Sequence, residues 1–281
     1  MEIKETIFKP DFSNENIDYS LPRISITECL NMLETPFDKE GVAQKTYEKN
    51  FNNPESKYYQ MTVEQIIEAW EEKGAESCKY GSLLDDYIGN IFTGTDKTLE
   101  LWKLDNGYEW DQRLNNLCKS FDEFYNILNK SGNTIFIDRE KTVYYKYGNY
   151  MIKGRLDALF YNIKTKKWII VDWKSSGTID IIPTRWTKKM LGPLYNYPQL
   201  NYYRYTLQLH YYKKALLESG YLPSDVKADD IEVMIVSLPG HEVEGSGFFY
   251  KIYKEAFPYN GALLDNLFKF AIQKKQLENT I

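Results

Sequence analysis

The chain is short of several features that fix a protein's class at sight. It has three cysteines, Cys29, Cys78 and Cys118, odd in number and far apart. Such cysteines build neither a disulfide framework nor a CxxC metal site, so a reducing, cytoplasmic compartment is expected. No stretch approaches the roughly 20 apolar residues of a membrane-spanning helix. The opening MEIKETIFKPDF lacks the apolar run of a signal peptide, and no membrane partner is expected. There is no repeat, no obvious linker and no phosphate loop of the form GxxxxGK[ST]. Positive charge is also scarce: 35 Lys and Arg stand against 40 Asp and Glu, a net charge of −5. Bulk attraction therefore does not hold a polyanion, and any contact with nucleic acid must come from a local basic patch.

What the chain has in quantity is aromatic surface, with 24 Tyr and 14 Phe in 281 residues. Tyrosine suits cores, interfaces and stacking platforms alike. The length allows one large domain with a full core. Residues 1–60 are polar and irregular and read as an N-terminal arm or lid, with a short helix near Ile26–Leu33; residues 61–281 read as a single core. Thr62 and Gln65 have capping-box spacing ahead of the apolar stripe Val63, Ile66, Ile67 and Trp70. Gly74 is expected to end that helix and a second to start near Gly81. Residues 100–130 read as one further helix.

From Thr134 the period becomes strand-like. Strands are expected at Thr134–Tyr147, Tyr150–Tyr161 and Lys167–Lys174, joined by tight turns. A Gly- and Pro-containing loop follows over 175–198, then a helix from about Gln199 to Glu218 stopped by Gly220. Ile231–Leu238 reads as a strand, 248–253 as one more, and 261–276 as a closing helix. The order helix, three strands, helix, strand predicts an α/β (α+β) core with a mixed sheet flanked by helices, preceded by a helical extension.

The chemistry is concentrated in the strand pair GRLD (Gly154–Asp157) and IIVDWK (Ile169–Lys174). Asp172 and Lys174 are two apart on a strand and leave the same face. The hairpin brings Asp157 beside Asp172. Adjacent carboxylates repel unless something positive neutralises them. A hard divalent ion such as Mg²⁺ does so, and also activates water toward a phosphoryl group. On spacing alone a cross-strand ion pair is an equal reading. The apolar run Trp168–Val171 tips the balance, because charges ending a strand buried on both faces need partners.

These residues resemble the PD-(D/E)XK nuclease superfamily, and within it the RecB-like branch of RecB and AddB nuclease domains, Cas4-like proteins and phage-type exonucleases. The resemblance covers roughly half the chain. It implies a restriction-endonuclease-like αβββαβ core, with Asp157 as the first acid of the motif, Asp172 as the second and Lys174 as its lysine. It also implies the backbone carbonyl of Trp173 as a metal ligand, and one or two Mg²⁺ or Mn²⁺ ions. Gln208-Leu209-His210-Tyr211-Tyr212 is similar to the QxxxY motif, whose Gln208 and Tyr212 share a helix face. Gly81-Ser82-Leu83-Leu84-Asp85 is similar to an element whose last residue is often a metal-binding histidine; here Asp85 takes that place, with Asp86 as its neighbouring alternative. Glu140 is a further candidate. The three scattered cysteines supply no iron–sulfur cluster, and a helicase or recombination partner would be a separate chain.

For DNA contact the expectation falls on Arg185, Trp186, Lys188 and Lys189, the most basic run after the catalytic strand, and on Arg204 within the tyrosine-rich segment 197–205, a combination suited to linear DNA or single-stranded ends. His210 reads as structural, since a helix turns about 100° per residue away from Gln208. The resemblance implies a DNA exonuclease or end-processing enzyme of replication, recombination or repair, bacterial or phage-encoded. A structure- or sequence-specific endonuclease is an alternative on the same chemistry, and a non-catalytic binding or assembly protein keeping the fold is another.

Overall fold

The computed structural model describes residues 9–13, 17–94, 99–108, 111–175, 179–240, 242–243, 247–248 and 250–278. In chain order its elements are β1 (Arg23–Ser25), α1 (Ile26–Asn31), α2 (Lys39–Asn50), α3 (Val63–Phe92), α4 (Leu99–Asp105), α5 (Gln112–Lys130), β2 (Thr134–Tyr147), β3 (Tyr150–Asn162), β4 (Lys167–Lys174), α6 (Asn201–Glu218), β5 (Ile231–Ser237), β6 (Glu242–Val243), β7 (Gly247–Phe248), β8 (Lys251–Tyr253) and α7 (Gly261–Glu278). They form two compact units, one of residues 1–34 with 115–281 and one of residues 35–114. These limits differ from a division at residue 60. Among the described residues no helix is long and apolar enough to cross a membrane.

The smaller unit is helical. Thr62 caps α3 as its spacing predicts: its side chain accepts from the Gln65 amide, and the Gln65 side chain accepts from the Thr62 amide. The helix does not stop at Gly74. One interior glycine costs about 1 kcal/mol against alanine, too little to break the hydrogen-bond ladder of a 30-residue helix. Trp70 anchors the start of this unit, with its indole N–H donating to Tyr58 Oη at 2.9 Å. Tyr87 packs edge-on against Trp102. The expected single helix over 100–130 is two, because Gly107 adopts a left-handed φ of 74° between α4 and α5. The helix α2 falls within the stretch read as irregular.

The larger unit has the expected order α5-β2-β3-β4-α6-β5, and its six-stranded sheet is mixed. β3 is antiparallel to β2 and β4, β4 is parallel to β5, and β5 is antiparallel to β8. The segment expected as one strand over 248–253 is divided between β7 and β8. β1 was not anticipated. It runs parallel to β3 through Arg23↔Met151, Ile24↔Ile152 and Ser25↔Lys153. β2 covers one edge of β3 along its length, so β1 and β4 share the other. β4 pairs with β3 only from Ala158 onward. Between them Gly154, Arg155, Leu156 and Asp157 have no strand on that edge.

Trp173 sends its ring to one face of the sheet, against Phe121 and Phe124 of α5. By strand alternation Asp172 and Lys174 point to the other, where α6 lies. That helix is buried from Thr206 to Leu216 except at half-buried Gln208, which explains its many apolar and aromatic residues.

Candidate active site

The gap between β1 and β4 is where the chemical groups collect. Asp157 ends the unpaired edge, and its Oδ2 accepts the Trp173 amide N–H at 2.9 Å. A strand residue's N–H and C=O leave the same edge, so the Trp173 carbonyl is directed toward Asp157 as well. One step along the ladder from Ala158↔Val171 stands Asp172, 1% exposed, with Oδ2 2.6 Å from Lys174 Nζ. Beyond this charged contact, neither carboxylate oxygen of Asp172 has a donor among the described residues.

Two carboxylates here face one ammonium. Burial works against the Lys174 charge, but Asp172 and Asp157 outweigh it and hold the ammonium above its ordinary range. Burial raises the Asp172 carboxyl, and Lys174 offsets only part of that. The site is short of positive charge. A hard divalent ion fits that deficit, because Mg²⁺ takes one or two carboxylates, keeps waters and accepts substrate phosphate oxygens. Asp157, Asp172 and the Trp173 carbonyl are the groups placed to hold it. Among the described residues no three Asp, Glu, His or Cys side chains gather at ligand spacing.

α6 supplies the opposite wall. Tyr205, Gln208 and Tyr212 recur at intervals of three and four and share a face. The Tyr205 ring lies 4.7 Å from Lys174 Nζ. Gln208 Nε2 donates to Tyr212 Oη at 2.8 Å, and Tyr212 Oη donates to the Arg155 carbonyl at 2.6 Å. The hydroxyl thus replaces a missing strand partner on the open edge of β3. Burial pushes the Tyr212 phenol upward, with Asp172 and Asp157 adding to it, so it stays a donor. Gly154 is what lets the helix approach: a Cβ there would lie 2.6 Å from Tyr211 Cε1 and 2.8 Å from Tyr212 Cε1.

Asp157, Asp172, Lys174, Gln208 and Tyr212, expected together, are together. Other expected residues are placed differently. Glu140 has a left-handed φ of 53° on β2 and pairs with Arg155 Nε at 2.8 Å. Arg204 is committed to Glu34 at 2.8 Å and Asn31 at 2.6 Å, fastening α6 to the residues that end α1. Arg185, Trp186, Lys188 and Lys189 lie on an exposed loop and do not line the cleft at Asp157. There the Arg185 guanidinium covers the Trp186 ring, and Lys189 Nζ donates to the Asn196 carbonyl. In the 197–205 segment Tyr197 and Tyr203 pack on Phe257 and Tyr202 packs on Tyr253, an aromatic cluster rather than an open platform. Asp85, half-buried on α3, belongs to the smaller unit, and Asp86 beside it is exposed. His210 is buried and bonds Glu255 at 2.8 Å, the structural role expected of it.

Three residues at the site were not singled out from sequence. Tyr205 sits under Lys174, and Lys153 and Arg155 line the cleft. The alternation Lys153-x-Arg155-x-Asp157 carried the signal for the last two.

No family model matches the chain, and no curated protein does. Among solved structures it is similar to the crystal structure of SSO0001, with 14% identity over 93% of this chain and 80% of that one, at a TM-score of 0.38. At that score neither chain informs the function of the other.

Proposed function

We propose that the chain is a metal-dependent nuclease that hydrolyses phosphodiester bonds in DNA, acting on ends. The observation that carries the reading is Asp172: a buried carboxylate, 2.6 Å from Lys174 and with no other donor among the described residues, beside a second carboxylate fixed by a backbone amide. A resident Mg²⁺ or Mn²⁺ supplies charge to the phosphoryl oxygens and lowers the pKa of water near it. Asp157 and Asp172, with the Trp173 carbonyl, hold that ion. Lys174, kept protonated by the two acids, donates hydrogen bonds to the attacking water or to charge developing on the phosphate. Tyr205 confines the lysine from below. Gln208 and Tyr212 hold the open edge of β3 in register. The similarity of GRLD, VDWK and QxxxY to the RecB-like pattern supports the same reading, as an exonuclease or end-processing enzyme of replication, recombination or repair, bacterial or phage-encoded. Cysteines outside any disulfide, of which Cys29 and Cys118 are buried, suit a reducing cytoplasm. A motor or recombination partner would be a separate chain.

The test is cleavage of end-labelled linear and covalently closed circular DNA with Mg²⁺ or Mn²⁺, with EDTA, and with Lys174→Ala. Metal-dependent loss of linear DNA alone is expected. Cutting of circles makes the enzyme an endonuclease. Absence of cutting under either metal, or cutting by Lys174→Ala at the wild-type rate, ends the catalytic reading.

A further inference from the structure

The cleft at Asp157, about 440 Å³ in volume, extends away from the metal-binding groups along the face of the β2–β3 hairpin. Cross-strand pairing sets Thr142 opposite Arg155 and Tyr144 opposite Lys153, and opposed residues share a face. Lys153 and Arg155 alternate on β3 and share it too, and Asp157 lies at its end, on the open edge beside β4. Ser25 and Thr27 border the same cleft. Among the described residues the lining sets Lys153 and Arg155 against one acid, Asp157, a local concentration of positive charge on an acidic protein.

Two features mark it as built for a ligand. Arg155 is held through Nε by Glu140 at 2.8 Å, which fixes the guanidinium plane and leaves both terminal nitrogens without a protein partner among the described residues. Lys153 is exposed and makes no ion pair among them. Alternate residues of a strand stand roughly 6.8 Å apart, comparable to the separation of successive phosphates in an extended polynucleotide. A backbone laid along β3 with one phosphate at Asp157 therefore presents the next two to Arg155 and Lys153.

We infer that Lys153 and Arg155 form a phosphate track that seats a single polynucleotide strand beside the bond to be cut, with Tyr144 as the ring on which a base stacks. The inference rests on the nuclease reading and gives its substrate as one strand, since a cleft of about 440 Å³ does not admit a duplex. It moves the principal DNA contact from the 185–189 loop to the hairpin face. The role of Glu140 is to orient Arg155.

The experiment is fluorescence anisotropy of a labelled single-stranded oligonucleotide in calcium, over a series of salt concentrations. Variants are Lys153→Ala, Arg155→Gln, Lys153→Arg and an Arg185/Lys188/Lys189 triple alanine, each checked by circular dichroism. Lys153→Ala and Arg155→Gln are each expected to weaken binding by about 3- to 10-fold and to reduce the slope of log K against log salt by about 0.7. Lys153→Arg is expected to keep both values, and the triple variant to keep the slope. A slope unchanged in Lys153→Ala and Arg155→Gln, or lost only in the triple variant, overturns the track. If the wild type cuts DNA while those two variants bind as it does, the nuclease reading stands without the track; if the wild type neither binds nor cuts, both fall.

Discussion

Lys174, half-buried, and Lys214, buried, are two lysines of one unit, and both are held above the ordinary lysine range by carboxylates that outweigh burial. Their surroundings differ. Lys214 bonds both Glu218 oxygens, at 2.9 and 3.0 Å, and approaches Asp265 at 3.3 Å. Those two acids are 44% and 39% exposed, so water completes their shells. Lys174 has instead a partner that is 1% exposed and has no other donor among the described residues. The first cluster is complete and fastens α6 to α7. The second has the same excess of acid over base, but its Asp172 is closed to water. A lysine with carboxylates is not by itself a site; on the proposed reading, burial of the acid separates the metal site from the structural cluster.

The largest effect that could break this contrast is on Asp172 and Lys174. Lys174→Ala is expected to lower kcat/KM for DNA cleavage by about a hundred- to a thousand-fold. Asp172→Asn is expected to abolish cleavage while leaving the melting temperature equal or higher, because the amide removes an under-compensated buried charge. A loss of several kcal/mol in Asp172→Asn, read by denaturant unfolding, would make the pair structural like that of Lys214. Next in size is Gly154→Ala. Its Cβ collides with Tyr211 and Tyr212, and overpacking of this kind costs about 1–3 kcal/mol; cleavage should fall with it. Unchanged stability would mean that α6 does not brace the open edge of β3.

Lys214→Met should give the mirror image of Lys174→Ala: about 1–2 kcal/mol less stable, from lost charged hydrogen bonds to half-exposed partners, with cleavage per folded molecule unchanged. A cleavage defect there would erase the distinction between the two lysines. The smallest effect is Tyr212→Phe, which orphans the Arg155 carbonyl and should cost about 1 kcal/mol, seen as a shifted urea midpoint at constant m-value.

Much of the site was legible in the sequence because it is periodic. Two-residue alternation put Asp172 with Lys174, and four-residue spacing put Gln208 with Tyr212. The strands β2, β3 and β4 were legible for the same reason. The arrangement that gives these groups an opening was not. β1 is three residues long, too short to show a period, yet its pairing with Met151–Lys153 sets where the free edge of β3 begins. Gly74 carried a local preference that the rest of α3 overrode. The basic run Arg185–Lys189 was conspicuous because it is contiguous, whereas Lys153 and Arg155, separated by a glycine, face the cleft. Arg204 looked available because its partners Asn31 and Glu34 lie far away in sequence. The metal role expected of Asp85 rests on resemblance alone.

On the proposed reading Asp157 and Asp172 bind a divalent cation. The direct measurement is calorimetric titration of Mn²⁺ into wild type, Asp172→Asn and Lys214→Met, without DNA, with thermal melts of the same samples. The account predicts saturable heat and a raised Tm for wild type and Lys214→Met, since a ligand that binds only the folded state stabilises it, and neither for Asp172→Asn. Binding of Mn²⁺ by Asp172→Asn as tightly as by wild type, or no binding by wild type, would contradict it.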